Sequence, residues 1–128
     1  DKLIEKDFKS VKPEMNLKEV VDVISVSKRN LFPVVDDEGN LKGVVLLDDI
    51  RNIMFRTDLY KKMHVSRFMT AMPAVLDVNE PMDQVMNTFD KTNAWNLPVV
   101  DKGKYVGFVS KSKIFNSYRQ VLKHFLDD

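Results

Sequence analysis

The sequence predicts a mixed α/β (α+β) protein built from two β-α-β-β-α repeats related by a pseudo-twofold axis. The main observation is a duplication, because "RNLFPVVDDEGNLKGVVL" in the first half returns as "NAWNLPVVDKGKYVGFVS" in the second. Pro33 and Pro98 lie 65 positions apart and Gly43 and Gly107 lie 64 apart, so a one-residue slip falls in the turn between them. A unit of about 60 residues is too long for a solenoid repeat and suits two subdomains paired as a pseudo-dimer.

A first amphipathic helix is predicted in each repeat, ahead of the duplicated stretch. Apolar residues recur there at the i, i+3, i+4, i+7 spacing of one helix face. They are Leu17, Val20, Val21 and Ile24 in the first repeat and Met82, Val85, Met86 and Phe89 in the second. Asn16 followed by Glu19 predicts a capping box at the first of these helices. Pro81 is compatible with the first turn of the other helix.

Two strands and a second helix follow in each repeat. "FPVV" and "LPVV" predict strands that begin at a proline, and Gly-containing turns lead into "GVVLL" and "YVGFVS", which suit strands covered on both faces. Short β-prone stretches, "FKSV" and "AVLDV", precede the first helices. The second helices carry Ile50, Ile53 and Met54 in one repeat and Ile114, Tyr118, Val121, Leu122 and Phe125 in the other. We expect one domain over residues 1–64, including the start of the linker, and another over 65–128 with a long C-terminal helix.

Composition excludes several classes of function. The chain has 128 residues, of which 44% are hydrophobic, and this predicts a globular protein with a sizeable core. A net charge of +1 gives no support for nucleic acid as a partner. The absence of cysteine excludes disulfides and thiolate metal sites. No apolar run approaches the roughly 20 residues that span a bilayer. Because residue 1 is Asp, we expect the chain to be cut from a longer protein.

The order of the repeated motifs carries a family resemblance. Each half of the sequence contains the same elements in the same order. They are an extended segment, an amphipathic helix, "PVVD", a Gly turn and a Gly-hydrophobic-hydrophobic stretch that leads into a helix. In this order they resemble a tandem pair of CBS domains, often called a Bateman module, over nearly the whole chain. "GVVLLDDIRNIMF" and "AWNLPVVDKGKYVGFVSKSKIFNSYRQVL" are similar to the cytosolic C-terminal CBS pairs of CLC-type chloride channels and transporters. That implies an attached membrane transport domain, at whose cytoplasmic face this soluble part would lie.

The resemblance implies a regulatory module that holds AMP, ADP or ATP in clefts between the repeats. The family motif, Gly-h-h-[Ser/Thr]-x-x-Asp, supplies a hydroxyl for phosphate or ribose and a carboxylate that accepts hydrogen bonds from the ribose diol. In the first repeat the carboxylate is present at Asp49, but Leu46 replaces the hydroxyl. In the second repeat Ser110 keeps the hydroxyl, but Lys113, which has donors only, replaces the carboxylate.

Different ligand predictions follow for the two repeats. A nucleotide would place its ribose on Asp49. The apolar cleft predicted to hold its adenine is lined by Val11, Phe32, Pro33 and Val45. The second cleft would be empty or take an anion through Ser110, Lys111 and Lys113. Asp48 and Asp49 are also residues that any helix start favours. Phe32 and Trp95 could stack on an adenine, but large aromatic residues more often pack in a core or an interface.

The remaining expectations concern catalysis, metals and assembly. The sequence contains no catalytic constellation, so we expect the chain not to be an enzyme. "DDEG" lacks the other ligands of a calcium loop and is predicted to be a hairpin turn, and no metal site is predicted. Apolar stripes larger than a small repeat can cover predict a homodimer. Two alternatives stay open: a ligand-free dimerisation scaffold, and the CBS module of another parent such as a metal-efflux protein or a dehydrogenase.

Overall fold

The computed structural model describes residues 2–127, which form two compact units. The first unit comprises residues 7–72 and 103–105, and the second unit comprises residues 2–6, 73–102 and 106–127. Each unit has strands, helices and a hydrophobic core of its own. The predicted mixed α/β class with two repeats is therefore confirmed.

The first unit is built around a hairpin of two antiparallel strands. Its elements, in chain order, are α1 (Leu17–Ser25), β1 (Leu31–Val35), β2 (Leu41–Leu46), α2 (Leu47–Ile50), a 3-10 turn at Thr57–Leu59 and α3 (Val65–Phe68). Phe32 on β1 lies opposite Val45 on β2. The connecting turn is held by Asp36, whose carboxylate accepts hydrogen bonds from the backbone of Glu38 at 3.0 Å and of Asn40 at 2.9 Å.

Single-residue bridges widen this sheet on both sides. Val11 pairs parallel with Val34, so the β-prone "FKSV" contributes one bridge rather than a strand. On the other side Thr70, which follows α3, pairs antiparallel with Val44. The first unit therefore presents four backbone segments side by side, of which only the two central ones are full strands.

The second unit repeats this plan with longer helices. Its elements are β3 (Leu76–Asp77), α4 (Met82–Thr92), β4 (Asn96–Asp101), β5 (Lys104–Ser110) and α5 (Lys111–Asp127). The strands form one sheet in the order β3-β4-β5, and β3 runs parallel to β4 with Leu76 opposite Val99. The N-terminal segment joins this sheet, because Glu5 bridges antiparallel to Phe108 on β5.

Each unit buries the middle of its strands completely. The core of the first unit gathers Val11, Val20, Phe32, Val34, Val45, Ile50 and Val65, and that of the second gathers Leu76, Val85, Phe89, Leu97, Val99, Val109 and Ile114. Three consecutive buried residues occur in each of β1, β2, β4 and β5. The continuous apolar runs were predicted to be strands covered on both faces, and this prediction is confirmed.

The helix-start prediction for the first repeat is confirmed. The Asn16 side chain accepts a hydrogen bond from the Glu19 backbone at 2.9 Å, and the Glu19 carboxylate accepts one from the Asn16 backbone at 3.0 Å. This is the reciprocal pairing of a capping box. In the second repeat Pro81 occupies the N-cap position immediately before α4, one residue earlier than the first turn.

The predicted second helix of the first repeat is wrong beyond its first turn. α2 ends at Ile50, and Ile53 and Met54 lie in turns. The Ile50 carbonyl accepts hydrogen bonds from the backbone of both residues, at 3.0 and 2.9 Å, which tightens the chain. The Tyr60 hydroxyl then donates to the Met54 carbonyl at 2.8 Å and so occupies an acceptor that a longer helix would need. In contrast, α5 extends as far as predicted.

Candidate functional site

The motif glycine of the first repeat lies beneath a crossing backbone segment. Thr70 and Val44 exchange two backbone hydrogen bonds of 2.8 and 2.9 Å next to Gly43. An ideal Cβ at Gly43 would lie 2.8 Å from the Thr70 carbonyl oxygen and 3.4 Å from the Met69 sulfur. Only glycine lets the crossing segment approach this closely.

The second repeat reproduces this crossing with the N-terminal segment. Glu5 and Phe108 exchange two backbone hydrogen bonds of 2.7 and 2.9 Å. An ideal Cβ at Gly107 would lie 2.5 Å from the Glu5 carbonyl oxygen and 2.8 Å from the Ile4 side chain. Glu5 thus occupies, in the second unit, the place that Thr70 occupies in the first. In both repeats the glycine sets the distance between the motif strand and the segment that crosses it.

Asp49 is exposed in the first turn of α2, three residues after the end of β2. The neighbouring Asp48 carboxylate forms an ion pair with Arg51, whereas no side chain between residues 2 and 127 pairs with Asp49. Leu46 occupies the N-cap position of α2, and it makes no side-chain cap hydrogen bond. The motif corner of the first repeat therefore offers one carboxylate to solvent and no hydroxyl.

The residues predicted to line an adenine cleft lie in the core of the first unit. Val11 exposes 1% of its surface, Phe32 and Val45 expose none, and Pro33 is also buried. Contact between these four side chains and an adenine stays a prediction, and it requires the edge of this core to open. Trp95, the alternative stacking residue, is 75% exposed.

The three predicted anion-binding residues of the second repeat all have partners within the second unit. The Ser110 hydroxyl accepts a hydrogen bond from the Lys113 backbone at 3.2 Å, so it caps the start of α5. The Lys111 backbone donates to the Trp95 carbonyl at 2.9 Å, and the Lys111 ammonium lies 5.5 Å from the centre of the Trp95 ring. The Lys113 ammonium is 3.1 Å from a carboxylate oxygen of Glu5.

Glu5 is the functional residue that the sequence analysis missed. It stands outside the repeated motif, and a single bridge has no periodicity from which to detect it. The signal was present in the repeat register, because Ile4 and Glu5 stand 65 positions before Met69 and Thr70. Carrying the register to the N-terminus would have shown that Glu5 corresponds to Thr70, although the contact of either residue with a motif strand is visible only in the structure.

Two open clefts lie away from the predicted site residues. One is a small cleft in the second unit between Ile4, Asp77, Met82 and Ile114. The other is a groove in the first unit between the start of α1, at Asn16 and Lys18, and the segment that carries Tyr60. Over residues 2–127 no cluster of His, Asp and Glu has the geometry of a metal site. Within the same range no helix is long and apolar enough to cross a membrane.

Comparison with curated proteins identifies two kinds of relative. A CBS domain-containing protein of Dictyostelium discoideum is 28% identical over 124 residues, which cover 85% of this chain and 86% of that protein. The inosine-5'-monophosphate dehydrogenase of Aquifex aeolicus is 34% identical over 103 residues. That match covers 79% of this chain but only 20% of the enzyme.

Solved structures share the fold. Staphylococcus aureus OpuCA superposes with a TM-score of 0.76 at 20% identity, covering 94% of this chain and 99% of that one. CBSX2 of Arabidopsis thaliana, solved in complex with AMP, superposes with a TM-score of 0.72 at 24% identity, covering 94% and 95%. The cytosolic domain of the Mg²⁺ channel MgtE, solved in complex with ATP, gives a TM-score of 0.72 at 23% identity, covering 90% and 46%.

The family model of the CBS domain matches the chain twice. The first match covers residues 2–56 and the second residues 65–119, which together are most of the chain. The first match begins with the segment that crosses Gly107, and the second begins at α3, just before the segment that crosses Gly43. Each match then extends through its own hairpin into the helix or turns that follow. The chain belongs to the CBS-domain family and carries two CBS domains in tandem.

Proposed function

We propose that this chain is a regulatory CBS pair that binds an adenosine nucleotide through Asp49 and is not itself an enzyme. The observation that carries the proposal is the state of Asp49, an exposed carboxylate without a partner within residues 2–127, at the motif position of the first repeat. A fixed carboxylate can accept hydrogen bonds from both hydroxyls of a ribose. The start of α2 lies beside it, although that helix has only four residues.

Structures of the same fold support an adenosine nucleotide as the ligand class. CBSX2 was solved in complex with AMP and the cytosolic domain of MgtE in complex with ATP. The missing hydroxyl at Leu46 removes one hydrogen bond, which costs about 1 kcal/mol of affinity. Asp49 therefore has to supply most of the polar recognition in the first repeat, and any phosphate would rely on groups outside the motif.

For the parent protein we propose a CLC-type chloride channel or transporter, with the chain at the cytoplasmic face of its membrane domain. The support is the sequence similarity of "GVVLLDDIRNIMF" and of the stretch from Ala94 to Leu122 to the C-terminal CBS pairs of that family. The Aquifex aeolicus relative favours a second candidate, a regulatory segment attached to a dehydrogenase. The reading frame around the chain separates them, because a CLC-type parent encodes many apolar spans before this segment and a dehydrogenase encodes none.

Titration calorimetry with AMP, ADP and ATP tests the ligand proposal. Asp49→Ala should weaken binding by roughly tenfold or more, since 1.4 kcal/mol corresponds to a factor of ten. Asp48→Ala is the matched control, because it removes a neighbouring exposed carboxylate from the same helix turn. The nucleotide affinity of Asp48→Ala should stay within about twofold of that of the unmodified chain, because the Asp48 side chain makes no contact with the ribose in this proposal.

Two outcomes contradict the nucleotide proposal. Equal losses in Asp48→Ala and Asp49→Ala would mean that only the negative charge of the helix start matters. Absence of heat with all three nucleotides would favour the ligand-free scaffold instead. Neither outcome depends on which parent protein carries the chain.

A dimerisation scaffold is the second candidate function, and the surface of α5 favours it. Tyr118, Val121, Leu122 and Phe125 follow the spacing of one helix face and expose between 46% and 74% of their surface. We propose that this stripe packs against a second copy of the chain, because isolated proteins rarely expose such a contiguous apolar stripe. Sedimentation of Phe125→Glu should then report a monomer where the unmodified chain is a dimer. A Gln120→Glu control, off the stripe, should stay dimeric.

A further inference from the structure

At two positions that contact each other, the second repeat carries a different charge from the first. The motif position that holds Asp49 in the first repeat holds Lys113 in the second, 64 positions later. The crossing-segment position that holds Thr70 in the first repeat holds Glu5 in the second. The two exchanged residues contact each other, with the Lys113 ammonium 3.1 Å from the Glu5 carboxylate.

The Glu5 carboxylate is held firmly in this position. Its backbone makes two hydrogen bonds to Phe108, and Gly107 lets it approach the motif strand closely. Its side chain exposes only 16% of its surface, whereas that of Lys113 exposes 53%. A largely buried carboxylate needs a cation or donors to remain charged, and Lys113 supplies them.

We propose that Glu5 is an internal ligand that decides the specificity of the second repeat. It occupies the Lys113 ammonium from within the chain, and so keeps nucleotides and other anions from the corner formed by Ser110 and Lys113. The first repeat has no equivalent pair, because Thr70 carries no charge and Asp49 has no partner within residues 2–127. The chain therefore takes one nucleotide, through the first repeat, and none through the second. This inference rests on the proposed function only for the nucleotide at Asp49.

The decisive variant converts the corner of the second repeat into that of the first. Glu5→Thr combined with Lys113→Asp recreates the Thr70 and Asp49 pair and retains the hydroxyl of Ser110. AMP binding measured by calorimetry should then rise from one to two nucleotides per chain. The amide signals of residues 110–113 in ¹H–¹⁵N spectra should shift with AMP in this variant and not in the unmodified chain.

A matched double variant controls for charge and composition. Glu14→Thr combined with Lys9→Asp makes the same two exchanges at exposed positions away from the motif corners. It should keep the stoichiometry of the unmodified chain. A second nucleotide in this control, or AMP-dependent shifts at residues 110–113 in the unmodified chain, would overturn the proposal. So would a folded Glu5→Thr/Lys113→Asp variant that gains no nucleotide.

A single substitution tests the same idea if the double variant does not fold. Glu5→Gln keeps the size of the side chain and removes the negative charge that pairs with the Lys113 ammonium. Inorganic phosphate should then shift the amides of residues 110–113 with an affinity roughly tenfold or more above that of the unmodified chain. Equal responses of the two proteins would overturn the proposal. If the unmodified chain binds no AMP while the double variant binds one, the nucleotide proposal for Asp49 fails, and the phosphate response of Glu5→Gln then decides the role of Glu5.

Discussion

Replacing Gly107 by Ala should destabilise the second unit by about 2 kcal/mol, because the crossing segment leaves no space for the added methyl group. The new Cβ would lie 2.5 Å from the Glu5 carbonyl oxygen, and real Cβ contacts essentially never fall below 3.0 Å. The crossing segment must therefore move by at least about 0.5 Å. That shift lengthens the 2.9 Å bond from the Phe108 backbone to Glu5 towards roughly 3.4 Å, outside the usual range for an N–H···O bond.

The expected loss combines opposing contributions. Weakening the two backbone bonds, without breaking them, costs about 1 kcal/mol in total. Forcing a methyl group into a filled space costs about 1–3 kcal/mol. The reduced freedom of the unfolded chain returns about 0.4–1 kcal/mol. The net result is a loss of about 2 kcal/mol, all of it steric, since the backbone of Gly107 is not in the left-handed region.

Gly103→Ala provides the matched control for this prediction. Gly103 has a φ of +82°, and an added Cβ there would meet nothing within 4 Å. Its cost should be about 1 kcal/mol and purely conformational. Urea unfolding compares the two variants, and hydrogen exchange at the Glu5 and Phe108 amides locates the damage. A smaller loss for Gly107→Ala than for Gly103→Ala, or unchanged exchange at these amides, would refute the steric argument.

Two further predictions concern local interactions in the first unit. Asn16→Ala should lower the free energy of unfolding by about 1 kcal/mol, because it removes one half of the capping box at α1, and urea unfolding measures it. A Ser25→Ala control at the other end of α1 should cost less than half as much. Burial, with a smaller contribution from the charge of Asp7, raises the pKa of Tyr105 to about 12. Because an unfolded tyrosine ionises near pH 10, stability from this group is complete below about pH 10 and is lost as the pH rises. In an ultraviolet titration, Tyr105→Phe should lack the tyrosine ionisation that occurs at the highest pH in the unmodified chain. An unchanged titration curve would contradict the raised pKa of Tyr105.

Sequence patterns predicted the parts of the fold that depend on repetition and periodicity. The stripe on α1 has its buried residues at Leu17 and Val20, and the corresponding stripe on α4 has them at Val85 and Phe89. Both follow from the 3.6-residue helical period, which a sequence displays directly. The strands that contain Pro33 and Pro98 were equally visible, because consecutive apolar residues suit a strand covered on both faces, although each strand begins two residues before the proline at which it was predicted to begin.

The parts that could not be predicted depend on contacts between distant segments. Beyond the end of α2, the Tyr60 hydroxyl donates a hydrogen bond to the Met54 carbonyl, six positions away. No local propensity encodes that bond, and Ile53 and Met54 keep helical spacing although they lie in turns. The ion pair between Glu5 and Lys113 joins positions 108 residues apart. The motif therefore showed that the second repeat lacks the carboxylate, but it did not show that Glu5 supplies a carboxylate to Lys113 from outside the motif.

The two repeats differ in chemistry at the positions where the fold tolerates difference. The motif glycines are retained in both repeats, because backbone atoms cross within 3 Å of where a Cβ would lie. The hydroxyl position is free to vary, and its two states have structural consequences. Ser110 caps α5, which extends for 17 residues, whereas Leu46 leaves α2 without a side-chain cap and with four residues. The carboxylate position varies in charge, and the crossing segment varies with it. Duplication therefore preserved the steric frame of the CBS domain in this chain, whereas the motif corners differ in charge, because Asp49 is an exposed carboxylate and Lys113 is paired with Glu5.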